Sequence, residues 1–315
     1  MNETRRALLD ALAEGPVGGP ELADRLGVSR AAVWKQVEAL RDEGFEVEST
    51  NDGYVVADVP GYGAASIEFG LDAPFSVEYH DSVDSTNLRA RELAAEGADD
   101  VAVVADEQTG GRGRLERAWS APSGGVWVSI LVRPQRPPAH VPVFTLAAAV
   151  AVTRVCREVG VDASIKWPND VLVETGERSE RGGLKLVGIL TEMEGEADRV
   201  SWLVAGIGVN ANVDAAELPE GATSLREQTG GDVDRRVFVQ RLLEEFDELR
   251  ENPDEVLPAW RAHSATLGQR VRVETSGGVV EGTAVDVEFP GALVVDTSEG
   301  DVRVHAGDCE HLRPV

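Results

Sequence analysis

The chain has little lysine, little cysteine and no long uninterrupted apolar run. Only three of its 30 basic residues are lysine, against 56 acidic residues, and the formal net charge is −26. Cys156 and Cys309 have no metal-binding or redox spacing, which excludes a disulfide scaffold and suits a reducing compartment. The longest apolar run, residues 141–152, is interrupted by Pro142 and Thr145 and is too short to span a bilayer. These absences predict a cytoplasmic protein without membrane association.

The negative charge is spread along the whole chain. Residues 1–60 hold 6 basic and 12 acidic side chains, and the net charges of 61–265 and 266–315 are −15 and −5. A 42% hydrophobic content excludes a disordered acidic chain, and 315 residues suffice for two or three domains. An even distribution of acidic residues with almost no lysine is typical of a halophilic surface, because salt screens the repulsion between the carboxylates. We therefore expect the unfolding midpoint to rise with molar salt.

Residues 1–59 predict a winged helix-turn-helix domain. Apolar spacing predicts helices over 4–14, 20–26 and 30–43, and Asn-Asp-Gly at 51–53 predicts a β-hairpin after them. This order of elements is typical of winged DNA-binding domains. The candidate DNA-binding residues are Ser29, Arg30, Lys35, Gln36 and Arg41. The alternative is an ordinary solvated helix face, which the acidity of the domain favours because phosphate neutralisation supplies much of the affinity for DNA.

A linker and two further domains follow. Pro60, Gly61 and Gly63 predict a linker over 60–66, and a mixed α/β domain is expected over 67–265. Its predicted strands are 77–79, 101–105, 126–132, 186–193 and 200–207, and its predicted helices are 87–96, 145–159 and 237–250. The polar stretch 174–183 predicts a surface hairpin or loop. Short β runs between glycine-containing turns predict a small barrel over 266–315.

A loop with three glycines and two arginines follows an apolar strand, at residues 107–114. Glycine lets the backbone approach a ligand, and Arg112 and Arg114 can form charge-assisted bonds of about 1.5–3 kcal/mol to a phosphate or carboxylate. The alternatives are a mobile loop or an RNA-binding Gly-Arg stretch. A Walker loop is excluded, because no Gly-Lys-Ser/Thr follows. Trp119 offers an aromatic face to a base, or it packs in the core.

Two of the three lysines lie in short, specific motifs. In residues 165–170, Lys166 can bind phosphate, and Asn169 and Asp170 can bind Mg²⁺; the alternative is an ion pair that closes a loop. Lys185 begins a nearly apolar strand, where a charge is costly unless it has an anionic partner. Because the chain otherwise uses arginine, both positions indicate a site that needs a compact ammonium group.

Three further features are less specific. Asp-Ser-Thr-Asn at 84–87 opens a helix and is either a capping cluster or a set of donors for a small polar ligand. Ala-Gly-Ile-Gly-Val-Asn at 205–210 lacks the third glycine of a dinucleotide fingerprint. His305, Cys309 and His311 are too few to make a convincing metal site. We expect no haem, flavin, nicotinamide or zinc.

Four motifs, in this order and spacing, resemble the biotin protein ligase family. They are Gly-Gly-Arg-Gly-Arg at 110–114, Lys-Trp-Pro-Asn-Asp at 166–170, Lys-Leu-Val-Gly-Ile-Leu at 185–190 and Gly-Ile-Gly-Val-Asn at 206–210. Val-Ser-Arg-Ala-Ala-Val-Trp-Lys at 28–35 is similar to the bifunctional branch, which also represses the biotin operon. The resemblance implies an α/β multidomain (α+β) fold with a winged helix-turn-helix, a central mixed-sheet ligase domain and an SH3-like barrel.

The resemblance also implies the reaction and its partners. The family uses ATP and Mg²⁺ to make biotinyl-5′-AMP and transfers biotin to one lysine of a carboxyl carrier domain. Operator DNA and a homodimer are implied as well. Two alternatives stay open: a lipoate or octanoate ligase of the same fold, and a biotin-sensing regulator without ligase activity.

The motifs assign roles to individual residues. The catalytic residues implied are Lys185, Arg114, Lys166 and Asp170, with Asp170 as the Mg²⁺ ligand. The biotin-binding residues implied are Ser85, Thr86, Asn87, Gln108, Gly111, Arg112, Gly113, Arg114, Lys185 and Gly206. The ATP-binding residues implied are Arg112, Trp119, Lys166, Asn169 and Asn210.

Overall fold

The structure, a computed structural model, describes residues 3–174 and 183–312. The loop or hairpin predicted over 174–183 therefore lies almost entirely outside the described residues. Three units are present, and their folds confirm the predicted winged helix-turn-helix, mixed-sheet α/β domain and small C-terminal β domain.

The N-terminal unit consists of three helices and a hairpin. Their bounds are α1 Glu3–Ala13, α2 Gly19–Leu26, α3 Arg30–Asp42, β1 Glu46–Thr50 and β2 Gly53–Asp58. The Ser29 hydroxyl accepts a hydrogen bond from the Ala32 N–H and so caps α3. Val33, Val37 and Leu40 of α3 are buried in the core of this unit, and Ala65 and Phe69 of the following segment pack against that core.

The predicted linker is shorter than expected. A fourth helix, α4 Ala64–Glu68, begins inside it, with Ser66 and Ile67 buried. The composition of 60–66 gave no sign of a helix, because α4 is stabilised by packing and not by local propensity. Ile67 is fully buried in the core of the central domain.

The central domain is built on a seven-stranded sheet in the order β3-β4-β5-β9-β8-β7-β6. Its strands are β3 Ser76–Val83, β4 Val101–Gln108, β5 Val126–Val132, β6 Ala163–Lys166, β7 Asp170–Val173, β8 Leu184–Gly195 and β9 Val200–Val209. Its remaining helices are α5 Thr86–Ala95, α6 Pro142–Glu158, α7 Leu225–Thr229, α8 Arg235–Glu251 and α9 Pro253–Ala262. Strands β6 and β7 and helices α7 and α9 are absent from the predicted elements.

Strands β3 and β4 form the parallel pair of this sheet, and both run further than predicted. Their pairing continues through Ser82 with Glu107 and Val83 with Gln108. Polar residues at these positions hid the strand ends, because backbone pairing and not side-chain pattern extends the ladder. Because of this extension, β3 ends directly before the Asp-Ser-Thr-Asn motif at 84–87, and β4 ends within the glycine-arginine loop at 107–114.

Helix α6 packs across one face of the sheet and supplies much of the central core. Among the described residues, 138–158 is the one helical segment long and apolar enough to cross a membrane, and 67% of it is buried inside the molecule. That burial is what a core helix requires.

The C-terminal unit is a five-stranded antiparallel sheet, consistent with an SH3-like barrel. In the order β13-β12-β11-β10-β14, it contains β10 Arg270–Thr275, β11 Gly278–Glu288, β12 Ala292–Thr297, β13 Gly300–Val304 and β14 Asp308–His311. It is attached to the central domain through Trp167, whose backbone N–H donates to Thr266 Oγ1 and whose indole N–H donates to the Gly291 carbonyl, both at 3.0 Å. This attachment brings β14 beside the lysine motifs.

Candidate active site

A cavity of about 540 Å³ lies where the predicted motifs meet. It is bounded by the sheet, the N-terminus of α5, the glycine-arginine loop and β14. The predicted residues that line it are Ser85, Thr86, Asn87, Gln108, Arg112, Gly113, Arg114, Trp119, Lys166, Asn169, Asp170, Lys185 and Gly206. Motifs more than 100 residues apart therefore form one site.

One wall of the cavity is a network of polar side chains. Gln108 Oε1 accepts hydrogen bonds from the Thr86 N–H (2.8 Å) and the Thr86 hydroxyl (3.0 Å). The Asn87 amide group donates to Glu192 Oε2 at 2.8 Å. These bonds fix a carboxamide, a hydroxyl and a helix N-terminus around a small space, which suits a neutral ligand with its own donors and acceptors.

Ser129 lies directly behind this wall, in the same hydrogen-bond network, and was not predicted. Its hydroxyl is fully buried and lies 2.7 Å from Thr86 Oγ1 and 2.6 Å from Asn87 Oδ1. The signal was present in the sequence, because Ser129 is the one hydroxyl in the otherwise apolar strand Val126–Val132. A buried hydroxyl in such a strand needs a polar partner.

Glycines form the floor of the cavity, and Trp119 lies on it. A Cβ at Gly188 would lie 2.8 Å from Trp119 Cζ3, and one at Gly208 would lie 2.9 Å from Trp119 Nε1. Any side chain at either glycine would displace the indole. The buried Nε1 has no hydrogen-bond partner among the described residues. The role of Trp119 in stacking on adenine stays a prediction.

Lys185 stands between the polar wall and a cationic wall, which contains Arg112, Arg114, Arg117 and Lys166. Its Nζ lies 2.7 Å from Asp170 Oδ1 and 5.1 Å from the centroid of the Trp119 ring. The predicted need for an anionic partner is confirmed. Asp170 Oδ1 is buried and accepts no hydrogen bond of normal geometry, so the contact with Lys185 is mainly electrostatic.

Arg114 crosses from the loop to two other elements. Its guanidinium donates to Asn169 Oδ1 and to the Gly307 carbonyl, both at 2.9 Å. Asn169 in turn donates to the Ile189 carbonyl at 2.8 Å. Asn169 therefore positions Arg114 in this structure, and its predicted contact with ATP stays a prediction.

Arg117 and Asp308 complete the cationic wall and were not predicted. Arg117 donates to Asp308 Oδ2 at 2.6 Å, and Arg114 lies 3.7 Å from Asp308 Oδ1. Arg117 was visible as one more arginine in the loop. Nothing in the sequence indicated Asp308, which lies about 190 positions away and reaches the site only because β14 docks there.

Lys166 is 9% exposed and lies close to β14. Burial, together with the charge of Lys166, lowers the pKa of His311 to about 4. Burial raises the pKa of the Cys309 thiol to about 11. Both groups are therefore neutral near pH 7. His305 is exposed, and the described residues contain no group of three metal-binding side chains, so these residues carry no metal-site proposal.

Two of the predicted ligand-binding residues, Asn210 and Gly111, lie outside the cavity lining, and their contacts with ligands stay predictions. Asn210 is buried outside the cavity lining, and its amide donates to the Thr223 carbonyl at 3.0 Å. Gly111 does not line the cavity either; a Cβ there would lie 2.7 Å from the Trp119 carbonyl. The Asn210 amide satisfies a buried backbone carbonyl beyond the end of β9. At Gly111, the absence of a side chain allows the loop to pass close to the backbone of Trp119.

The predicted DNA-binding residues divide into two groups. Ser29, Arg30 and Lys35 are exposed on α3. Gln36 instead accepts a hydrogen bond from Arg5, and Arg41 donates to the Val47 carbonyl and pairs with Glu38. The helical positions of Gln36 and Arg41 turn them towards α1 and the hairpin, and the contacts of all five residues with DNA stay predictions.

Asp308→Asn is expected to raise the KM for ATP about two- to fivefold, with little change in kcat. The effect is modest because Arg117 is 68% exposed, and exposed ion pairs contribute about 0.2–1 kcal/mol. Initial rates against ATP concentration measure it, with Asp301→Asn on the exposed side of the same unit as control. Equal KM values in both variants would contradict a role of Asp308 in positioning Arg114 and Arg117 for ATP.

Comparison with known proteins agrees with this architecture. Three family models match: "HTH domain" at residues 4–55, "Biotin/lipoate A/B protein ligase family" at 79–210 and "Biotin protein ligase C terminal domain" at 266–312. The Bacillus subtilis (strain 168) bifunctional ligase/repressor BirA is 38% identical over 311 residues, which is 93% of each chain.

Two further relatives extend the comparison. The Mycobacterium tuberculosis biotin–[acetyl-CoA-carboxylase] ligase is 37% identical over 246 residues, 73% of this chain and 86% of that protein. The structure of the Aquifex aeolicus biotin protein ligase in complex with biotin and ATP has a TM-score of 0.64 and 28% identity, covering 76% of this chain and 99% of that one. The chain therefore belongs to the biotin protein ligase family, in its bifunctional ligase/repressor branch.

Proposed function

We infer that this chain is a biotin protein ligase and a biotin-responsive transcriptional repressor. The observation that carries the ligase function is the position of Lys185. Its ammonium group lies where the polar wall meets the cationic wall, 2.7 Å from Asp170 and above the ring of Trp119. A carboxylate attached to a ligand in the polar wall would meet a phosphate bound by the cationic wall at this point.

The polar wall suits the ureido ring of biotin. A ureido group offers two N–H donors and a carbonyl acceptor, which complement the amide and hydroxyl groups of Thr86, Asn87 and Gln108. The dithiolane or alkyl end of lipoate or octanoate offers no such groups and could form no hydrogen bonds with these side chains. This difference favours biotin over the alternative substrates.

The cationic wall suits ATP. The cavity is lined by five basic and four acidic residues, a local excess of positive charge in a chain whose net charge is −26. The basic residues are Arg112, Arg114, Arg117, Lys166 and Lys185, and the acidic ones are Asp170, Glu274, Asp308 and Glu310. Such a concentration of cations stabilises charge on phosphate oxygens. We propose that Lys166 and Arg112 bind the phosphates and that Trp119 contacts the adenine.

In the first step, a biotin carboxylate oxygen attacks the α-phosphorus of ATP and pyrophosphate leaves, giving biotinyl-5′-AMP. No covalent enzyme intermediate is required, so positioned cations supply the catalysis. Lys185 neutralises the repulsion between the carboxylate and the α-phosphate. Arg114, held by Asn169, keeps the loop close to the phosphate.

In the second step, the amine of a carrier-domain lysine attacks the acyl carbon of biotinyl-5′-AMP. An amide bond forms, the acyl–phosphate bond breaks, and AMP leaves with the bonding electron pair. The amine loses a proton to solvent. The loop that carries Arg112, Arg114 and Trp119 limits the access of water to the mixed anhydride until the carrier arrives.

Asp170 fits a role as a Mg²⁺ ligand. Mg²⁺ is usually bound by one or two carboxylates together with substrate phosphates, and Asp170 Oδ1 is a buried carboxylate oxygen without a hydrogen bond. We propose that Asp170 binds the ion that accompanies ATP, where the metal would neutralise phosphate charge. Lys185 would then be released towards the carboxylate.

The repressor function rests on the N-terminal unit. Its capped helix α3 presents Arg30 and Lys35 to solvent, as a recognition helix must. We further propose that the protein binds operator DNA as a homodimer, acts in the cytoplasm and has a halophilic surface. A ligase-deficient regulator is disfavoured, because every cation of the cavity is present.

Biotin-dependent ATP–pyrophosphate exchange, measured from low to molar salt, tests the ligase function. Exchange that requires biotin and is not driven by lipoate or octanoate is expected, followed by transfer to a biotin carboxyl carrier domain. Exchange driven by lipoate alone would establish the rival substrate. Tight biotin binding without exchange at any salt concentration would establish a regulator without ligase activity.

A further inference from the structure

Trp34 is a large apolar side chain exposed in the middle of α3. It is 54% exposed, although the neighbouring Val33 is buried in the core of the N-terminal unit. Among the described residues of this unit, Trp34 is the one large hydrophobic side chain that is exposed. Its place on the face opposite the core means that packing within the unit does not explain it.

The surroundings of Trp34 are those of a nucleic-acid contact. Arg30 and Ala31 precede it by four and three positions, so they lie on the same side of the helix, and Lys35 follows directly. Arg30, Ala31 and Lys35 are all exposed. The small Ala31 side chain allows another surface to approach the helix closely, and Arg30 and Lys35 supply two exposed positive charges on the same part of the helix.

Electrostatic attraction from this unit is limited. Its six basic residues face 12 acidic ones, and four of the six are engaged by carboxylates or carbonyl groups. The engaged residues are Arg5, Arg6, Arg25 and Arg41. Arg30 and Lys35 alone have no partner among the described residues. With two phosphate contacts per unit, the logarithm of the DNA-binding constant would fall against the logarithm of the salt concentration with a slope of only about −2 per recognition helix.

We propose that Trp34 is a base-contacting residue, whose indole packs against the C5-methyl group of a thymine in the major groove. This proposal rests on the repressor function inferred above. The thymine methyl is the apolar group that the major groove offers, and apolar contact with it distinguishes thymine from the other bases. Salt does not screen such a contact, so it supplies specificity where two cations supply little affinity.

The test starts from DNA selected by the full-length protein. Wild-type protein with biotin and ATP enriches duplexes of about 40 base pairs, roughly four helical turns, from a random pool. Each thymine of the selected site is then replaced by deoxyuridine, which removes only the methyl group. Binding of every duplex is measured for the wild type, for Trp34→Ala and for the control Val279→Ala, an exposed apolar residue of the C-terminal unit.

One thymine in each half-site is expected to be sensitive to the loss of its methyl group. Wild type and Val279→Ala should bind the deoxyuridine duplex about three- to tenfold more weakly, as one buried methyl implies. Trp34→Ala should bind the parent duplex more than tenfold more weakly and show no further loss at that position. Its unfolding midpoint and its pyrophosphate exchange should equal those of wild type, because Trp34 lies outside both the core and the cavity.

Three results would overturn the proposal. Trp34→Ala could retain full sensitivity to deoxyuridine, which would place another residue at the methyl. It could bind the parent DNA as wild type does. It could also change the oligomeric state without DNA, which would show that the indole covers a contact between two copies of the chain. Failure of the wild type to enrich any duplex would instead contradict the repressor function itself.

Discussion

Lys185→Ala is expected to reduce biotin-dependent pyrophosphate exchange by about 10²–10³-fold, the effect of removing one preorganised charge donor from a reacting centre. The substitution removes the positive charge between the biotin carboxylate and the α-phosphate. It also leaves Asp170, a carboxylate 2.7 Å from Nζ in the intact site, without its partner. The remaining negative charge would repel ATP.

Lys185→Arg is expected to fail almost as severely. The guanidinium is planar and larger than an ammonium group, and the space above the Trp119 ring holds Nζ at 5.1 Å from the ring centroid. Arg303→Ala is the matched control, since it also removes one positive charge but lies on the outer side of the C-terminal unit, paired with Glu288. If Lys185→Ala remained active, Lys185 would not be the group that neutralises the reacting carboxylate and phosphate. Loss of activity in Lys166→Ala would then assign this role to Lys166.

Gly206→Ala is expected to destabilise the protein by about 1–3 kcal/mol and to raise the KM for biotin at least tenfold. The new methyl group would overlap the Asn87 carboxamide oxygen and lie 2.8 Å from its Cγ. Asn87 cannot move aside easily, because Ser129 and Glu192 hold it. The polar wall would therefore be displaced together with it.

Gly231→Ala is the matched control for this steric effect. A Cβ at Gly231 meets no atom within 4 Å, and we expect a stability change within about 0.5 kcal/mol. Chemical denaturation measures stability, and pyrophosphate exchange against biotin concentration measures the KM. If Gly206→Ala matched Gly231→Ala in both measurements, the polar wall would be more adaptable than its hydrogen bonds indicate.

Residue types that perform specific chemistry were recognisable without any knowledge of the fold. Lys166 and Lys185 were conspicuous because the chain otherwise uses arginine, and the apolar strand around Lys185 required an anion. The identity of that anion was beyond reach, since Asp170 meets Lys185 only through the pairing of β7 with β8. The register of that pairing depends on contacts between residues distant in sequence.

In the recognition helix α3, too, the sequence reveals the element and the tertiary structure decides the partners of its side chains. Its ends and cap were readable from Ser29 and from the spacing of Val33, Val37 and Leu40. The contacts of Gln36 with Arg5 and of Arg41 with the Val47 carbonyl were not readable from the sequence. Those partners lie on α1 and the hairpin, and only the packed unit brings them within reach.

The local pattern of this chain was thus sufficient for its family, its three units and most of the predicted residues that line the cavity, because each of these depends on residue type and short-range spacing. Arg117 and Asp308 reach the cavity through tertiary contacts, and Ser129 reaches the hydrogen-bond network behind its wall in the same way. Asn210 and Gly111 lie outside the cavity lining for the same reason. A side chain's partner is decided by which distant elements pack beside it, and the hydrogen bonds and charges so brought together are satisfied only in the folded molecule.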